Sequence, residues 1–126
     1  MLALAPPHAY NVGMKRPRDL PALGEFELLV LLAVLRGDGD AYGATILQDL
    51  QQRTGRAVSR GALYVTLERL EAKGYVSSRT GDPTPARGGR PRRYYTVRST
   101  GLALLRQSLD ALRQMSEGLA LKLKHP

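Results

Sequence analysis

The apolar positions of the chain fall into stretches of different period, and each period predicts a different element. From Gly24 to Arg36 almost nothing is polar: Leu28, Leu29, Val30, Leu31, Leu32, Ala33, Val34 and Leu35 follow one another without a break. Opened by Glu25 and Glu27, which a helix dipole favours at its start, this stretch predicts a first helix. A helix that is apolar all round must be covered all round. One side packs on its own domain. The side bearing Leu29 and Leu32 asks for a second partner, most simply another subunit.

Gly37-Asp38-Gly39-Asp40 breaks the pattern as a turn. Its two aspartates do not begin a calcium loop, because no glutamate closes a twelve-residue ligand set behind them. A second helix is predicted from Tyr42 or Gly43 to Arg53, with Ile46, Leu47 and Leu50 inward and Gly55 suited to a left-handed cap. After it Ser59 is a good N-cap for a third helix, in which Leu63, Leu67 and Leu70 sit at i, i+4 and i+7 and make the buried stripe. The same wheel turns Gly61, Tyr64, Val65, Glu68 and Ala72 outward, flanked by Arg60 and Arg69. Two helices joined by so short a turn have the spacing of a helix-turn-helix, whose second helix docks in a DNA groove through its N-terminal residues. Ser59, Arg60, Gly61, Tyr64, Val65 and Arg69 are its candidate DNA contacts.

Beyond Gly74, which stops the helix, the pattern becomes that of strands. Tyr75–Ser78 reads as one strand and Tyr94–Arg98 as its return, with Gly81–Gly89 a loop by composition. Five arginines against Asp82 lie between Arg79 and Arg93. The planar fork of arginine donates two hydrogen bonds at once to a phosphate, and paired glycines let backbone approach a duplex closely. Arg87, Gly88, Gly89, Arg90, Arg92 and Arg93 are therefore the candidate DNA contacts of a basic two-stranded wing. Ser99 or Thr100 then caps a last helix reaching about Lys122. Its Leu102, Leu105, Leu109, Leu112, Leu119 and Leu123 follow alternating steps of three and four, broken only at Ser116. That is a coiled-coil-like seam and predicts dimerisation.

The expected fold is thus mainly α with a small β-hairpin wing: a winged helix-turn-helix over residues 23–98 and a C-terminal dimerisation helix over 99–126. Residues 1–22, rich in Pro and Ala and carrying Lys15, Arg16 and Arg18, read as a flexible basic arm, or in part as sequence preceding a true start at Met14. A chain of 126 residues is enough for one domain with a modest core.

Charge sharpens the functional reading. The net charge is +8, but residues 23–52 carry −4 (one basic, five acidic) and residues 53–98 carry +8 (eleven basic, three acidic). Positive charge concentrated on the predicted helix and wing implies a polyanionic partner, since it attracts phosphate and releases counterions. There are no cysteines, which removes disulfides, thiolate zinc sites and cysteine nucleophiles and fits a reducing cytoplasm. No apolar run approaches the ~20 residues needed to span a bilayer, and no signal peptide is visible. The only histidines, His8 and His125, stand near the termini. No nucleophile with a base, phosphate loop or metal-ligand set is suggested, so neither catalysis nor a cofactor is expected.

Leu29–Leu35, Tyr42-Gly43, Gly61-Ala62-Leu63-Tyr64, Leu67-Glu68-Arg69-Leu70-Glu71-Ala72-Lys73-Gly74 and Gly88-Gly89-Arg90-Pro91-Arg92-Arg93-Tyr94-Tyr95 together resemble the PadR family of bacterial winged-helix transcriptional regulators, specifically its short members with one C-terminal helix. The resemblance implies a homodimer that binds a pseudo-palindromic operator in double-stranded DNA, usually as a repressor, with the equivalents of Ser59, Tyr64 and the wing arginines against DNA. Val65 and Ala62 stand where the family often has proline and threonine, so base preference is not carried over. Some relatives bind flat aromatic drugs at the dimer interface through tryptophan, which this chain lacks. A small-molecule effector, if the chain has one, is of unknown identity. Two other readings share the basic charge: a non-specific architectural DNA- or RNA-binding protein, which would show no operator preference, and a protein-interaction module, which would show little affinity for duplex DNA.

Overall fold

The computed structural model of the chain describes residues 23–82 and 91–124. Its elements are α1 (Glu25–Arg36), β1 (Ala41–Tyr42), α2 (Gly43–Thr54), α3 (Arg60–Ala72), β2 (Val76–Thr80), β3 (Arg93–Val97) and α4 (Ser99–Ser116). The fold is mostly helical with one small antiparallel sheet, as the sequence predicts.

The uninterrupted apolar run of α1 makes it the centre of the molecule. It packs against α2, α3, α4, β1 and β3, and Val30, Leu31 and Val34 are fully buried. Glu27 reaches back to accept the Gly24 N–H at 3.1 Å and closes the helix start. Leu29 and Leu32 are half-buried against this core rather than bare. On α3 the predicted stripe of Leu63, Leu67 and Leu70 is fully buried, and Thr66 widens it. Each such leucine contributes roughly 1.5–3 kcal/mol on burial. Gly55 ends α2 at φ 70°, the left-handed position expected of it.

The sheet departs from the predicted hairpin. Ala41 and Tyr42, the latter a predicted start of the second helix, form a short strand paired antiparallel with β3 (Ala41↔Tyr95, Tyr42↔Tyr94), so the order is β1-β3-β2. Two residues are too few to show a period of two, which is why pattern reading misses them. β2 also runs on to Thr80, because Ser78, Arg79 and Thr80 pair with Tyr95, Tyr94 and Arg93. Tyr75 lies outside it, its N–H donating to Leu70 O at 2.9 Å as the chain leaves α3.

α4 likewise corrects the prediction. Its N-cap is Arg98, and Thr100 instead donates its hydroxyl to Gly74 O. The helix stops at Ser116, six residues short of Lys122: Glu117 is extended and Gly118 adopts φ 81°. Serine and glycine are weak helix formers, and the residues from Ala111 onward are exposed, so no packing compensates. Leu119 therefore lies outside the helix, and the seam is divided. Gly101, Leu104 and Leu105 are buried in this chain's own core. Gly101 allows the closest approach, since a Cβ there would overlap the Tyr75 carbonyl.

Candidate nucleic-acid interface

The third helix presents the face its sequence predicts. Ser59 caps it by accepting the Ala62 N–H at 3.0 Å, which leaves Arg60 at the first helical position. With one side fixed to the core, Arg60, Gly61, Ala62, Tyr64, Val65, Glu68 and Arg69 are exposed. Tyr64 and Val65, at 40% and 46%, expose more apolar surface than packing requires.

The wing adds a second set of groups. Tyr95 is buried, so by strand alternation its neighbour Tyr94 faces outward. Register then places Tyr42, Tyr94 and Arg79 in one row across the three strands. The two rings meet edge to face, with centroids 5.7 Å apart. Arg79 stacks 4.5 Å over Tyr94, and Arg92 stacks 4.1 Å over Tyr42. Such cation–π contacts hold a guanidinium in place while leaving its N–H groups available. Burial pushes the Tyr95 phenol above its usual pKa, against the lowering pull of nearby Arg93.

Ion pairing sorts the cations. Arg56 and Glu25 form a two-pronged pair at 2.8 and 3.1 Å that joins the start of α1 to the α2–α3 turn. Its hydrogen bond, and then its charge, hold the Glu25 carboxyl below the usual carboxylate range. Lys73 meets Glu27 at 3.4 Å, Arg53 meets Asp49 at 3.6 Å and Arg79 meets Asp40 at 3.6 Å. Arg93 turns toward α3, donating to Ser78 Oγ at 3.2 Å and lying 4.0 Å from Glu71. Among the described residues, the side chains of Arg60 and Arg69 have no ion pair or hydrogen bond, and Arg92 has only its stacking contact. The acids of residues 23–52 thus pair with Arg53, Arg56, Lys73 and Arg79, and leave Arg60, Arg69 and Arg92 without an ion pair among the described residues.

Arg60, Tyr64, Arg92 and Arg93 line a cleft of about 410 Å³ between the start of α2, α3 and the wing. The structure therefore brings the predicted residues Arg60, Tyr64, Arg92 and Arg93 together, with Gly61, Val65 and Arg69 on the adjoining face. Arg87, Gly88, Gly89 and Arg90 lie outside the described residues, as does the basic arm of residues 1–22. Sequence reading missed Tyr42 and Tyr94 as supports for the arginines, because only strand register joins positions so far apart. Among the described residues no group of three or more acidic, histidine or cysteine side chains is placed to hold a metal, and no helix is long and apolar enough to cross a membrane.

The predicted dimerisation residues occupy a different side. Leu105 is buried within the chain and Leu102 is half-buried, whereas Leu109, Leu112 and Leu119 are exposed. Met115, at 79%, extends that exposed strip. Leu112 and Met115 line a mostly apolar cleft of about 470 Å³ with Leu23 and Leu28.

Residues 31–107 match the model of the transcriptional regulator PadR-like family. A Mycobacterium tuberculosis protein named transcriptional regulator Rv3488 is 40% identical over 81 residues, which is 63% of this chain and 69% of that protein. The crystal structure of a PadR family transcriptional regulator from Eggerthella lenta is 26% identical, with a TM-score of 0.62 over 80% of this chain and 83% of that one. A PadR-like transcriptional regulator from Bacillus cereus shares the fold at 20% identity, with a TM-score of 0.63 over 80% of this chain and 93% of its own.

Proposed function

Since the chain belongs to the PadR-like family of transcriptional regulators, we propose that it is a homodimeric, sequence-specific repressor that reads a pseudo-palindromic operator in double-stranded DNA. The observation that carries this reading is the set of uncompensated arginines, Arg60, Arg69 and Arg92, around the exposed Tyr64 face of α3. A surface that leaves arginines without ion pairs beside an exposed aromatic ring suits a partner that supplies both phosphates and base edges.

In this reading α3 enters the major groove by its N-terminal half. Ser59, Arg60, Gly61, Tyr64 and Val65 meet base edges or flanking phosphates, and Arg69 meets the backbone. Arg92, steadied by Tyr42, and the wing arginines Arg87, Arg90 and Arg93 grip the adjacent backbone or minor groove, where Gly88-Gly89 allows close approach. Phosphate contacts supply affinity without sequence information, and groove contacts supply choice. Two subunits pair through the exposed strip of Leu109, Leu112 and Met115 and the neighbouring α1 surface. That pairing sets two recognition helices about one duplex turn, ~34 Å, apart. The bound dimer excludes polymerase from a promoter in the cytoplasm.

Selection from a random duplex pool at near-physiological salt tests the reading. The expected result is an inverted repeat with half-sites about one turn apart. Binding without enrichment would establish the architectural alternative instead, and no binding to duplex DNA would favour a protein-interaction module.

A further inference from the structure

Gly43 begins α2 immediately after Tyr42, and Thr45 secures that helix start. Its Oγ1 accepts the Tyr42 N–H at 3.1 Å and donates to Tyr42 O at 2.9 Å. Nothing in the backbone demands glycine at position 43, since it is absent from the residues with positive φ. Helix propensity disfavours glycine there relative to alanine. What demands it is Tyr64. A Cβ built on Gly43 would stand 2.9 Å from Tyr64 Cζ, 3.2 Å from Cε1 and closer still to the hydroxyl oxygen. The ring tip of the recognition-helix tyrosine thus lies directly on the first turn of α2, at the cleft shared with Arg60 and Arg92.

We propose that Gly43 is a positioning residue for DNA recognition: the missing side chain on α2 makes a seat that fixes the Tyr64 ring on the α3 surface. The proposal rests on the reading that Tyr64 meets DNA. Seated against backbone, the ring reaches DNA with its rotamer already selected, so binding does not have to order it. The atoms that a methyl group at 43 would meet are the far end of one side chain, not backbone. An alanine there moves Tyr64 and leaves the fold in place, so binding and stability part company.

Gly43→Ala in the full chain tests this, with the duplex recovered by selection as the probe. In the free protein, nuclear Overhauser contacts between the Tyr64 ring protons and the α-protons of residue 43 are expected in wild type and lost in the variant. Operator affinity falls about tenfold, the order expected for losing one well-placed base contact, while the melting temperature holds or rises. In a Tyr64→Ala background the same Gly43→Ala change shifts affinity by less than about twofold, the additivity limit for uncoupled sites. Retention of the ring contacts in Gly43→Ala, or an equal loss of affinity in both backgrounds, would overturn the seat. A Tyr64→Ala chain that binds operator like wild type would overturn the DNA role of Tyr64, and the proposal with it, even where the ring contacts confirm the seat. If Gly43→Ala instead lowers stability, Tyr64→Ala should restore the melting temperature; failure to restore it also overturns the seat.

Discussion

At the scale of single residues, the arginines of this chain are not interchangeable. Arg92 is stacked on Tyr42 and has no acid to satisfy it among the described residues, whereas Arg93 is tethered to Ser78 and Glu71. Arg92→Ala should weaken binding to every duplex alike and lower the salt-dependence slope by about one, the signature of one lost phosphate contact. Arg93→Ala should change the slope less, because part of its donor capacity is already used. Titrating both variants against salt checks the ranking. The Glu25–Arg56 pair makes a different claim. The folded-state pKa of Glu25 is lowered, so its contribution to stability is fully present above the unfolded value of about 4.3 and is lost as pH falls through the folded one. Melts across the acid range should therefore fall more steeply for wild type than for Glu25→Gln. Parallel curves would remove the pair from the stability account. Arginine clustering was legible in the sequence. Which arginine is free was not, because that depends on acids such as Glu71 and Asp40 brought close by folding.

At the scale of elements, α4 divides one repeat between a buried half and an exposed half. Its first half is anchored in the core by Leu104 and Leu105, and its second half exposes Leu109, Leu112 and Met115. Leu105→Ala should destabilise the subunit by about 2–5 kcal/mol, the usual cost of emptying a packed leucine site, as read by denaturant unfolding. Leu112→Glu, at a position 57% exposed, should leave the folded subunit intact and shift it to monomer in sedimentation. A variant that still sediments as a dimer would refute the proposed interface. The three–four spacing of leucines predicted the helix correctly but could not divide these roles, since a buried stripe has the same period whether its partner is in the same chain or another. The helix end was hidden for a related reason. Leu119 and Leu123 continue the seam in sequence, yet Gly118 at φ 81° ends the geometry that would have aligned them. α1 shows the converse: its uninterrupted apolarity marked it as a centre, and five elements of the same chain supply most of the cover.

At the scale of the whole molecule, charge and packing are segregated. Acidic side chains at Glu25, Glu27, Asp40 and Asp49 pair with Arg56, Lys73, Arg79 and Arg53, whereas Arg60, Arg69 and Arg92, on α3 and the wing, have no ion pair among the described residues. The winged helix-turn-helix was legible because its long elements carry strong periods and its turns carry glycine or serine. The part that organises it, β1, was not, because Ala41 and Tyr42 gain a strand conformation only by pairing with β3. This short strand has an engineering consequence. Tyr42 belongs to the sheet and supports a wing arginine, and the next residue, Gly43, lies under the ring of Tyr64. A chimera that imports a relative's recognition helix alone would bring a reading side chain shaped for a different floor. Under the proposed DNA-reading role of Tyr64, a transplant of α3 would therefore have to carry Tyr42 and Gly43 with it, and specificity would belong to the junction of α2, α3 and the sheet as much as to one helix.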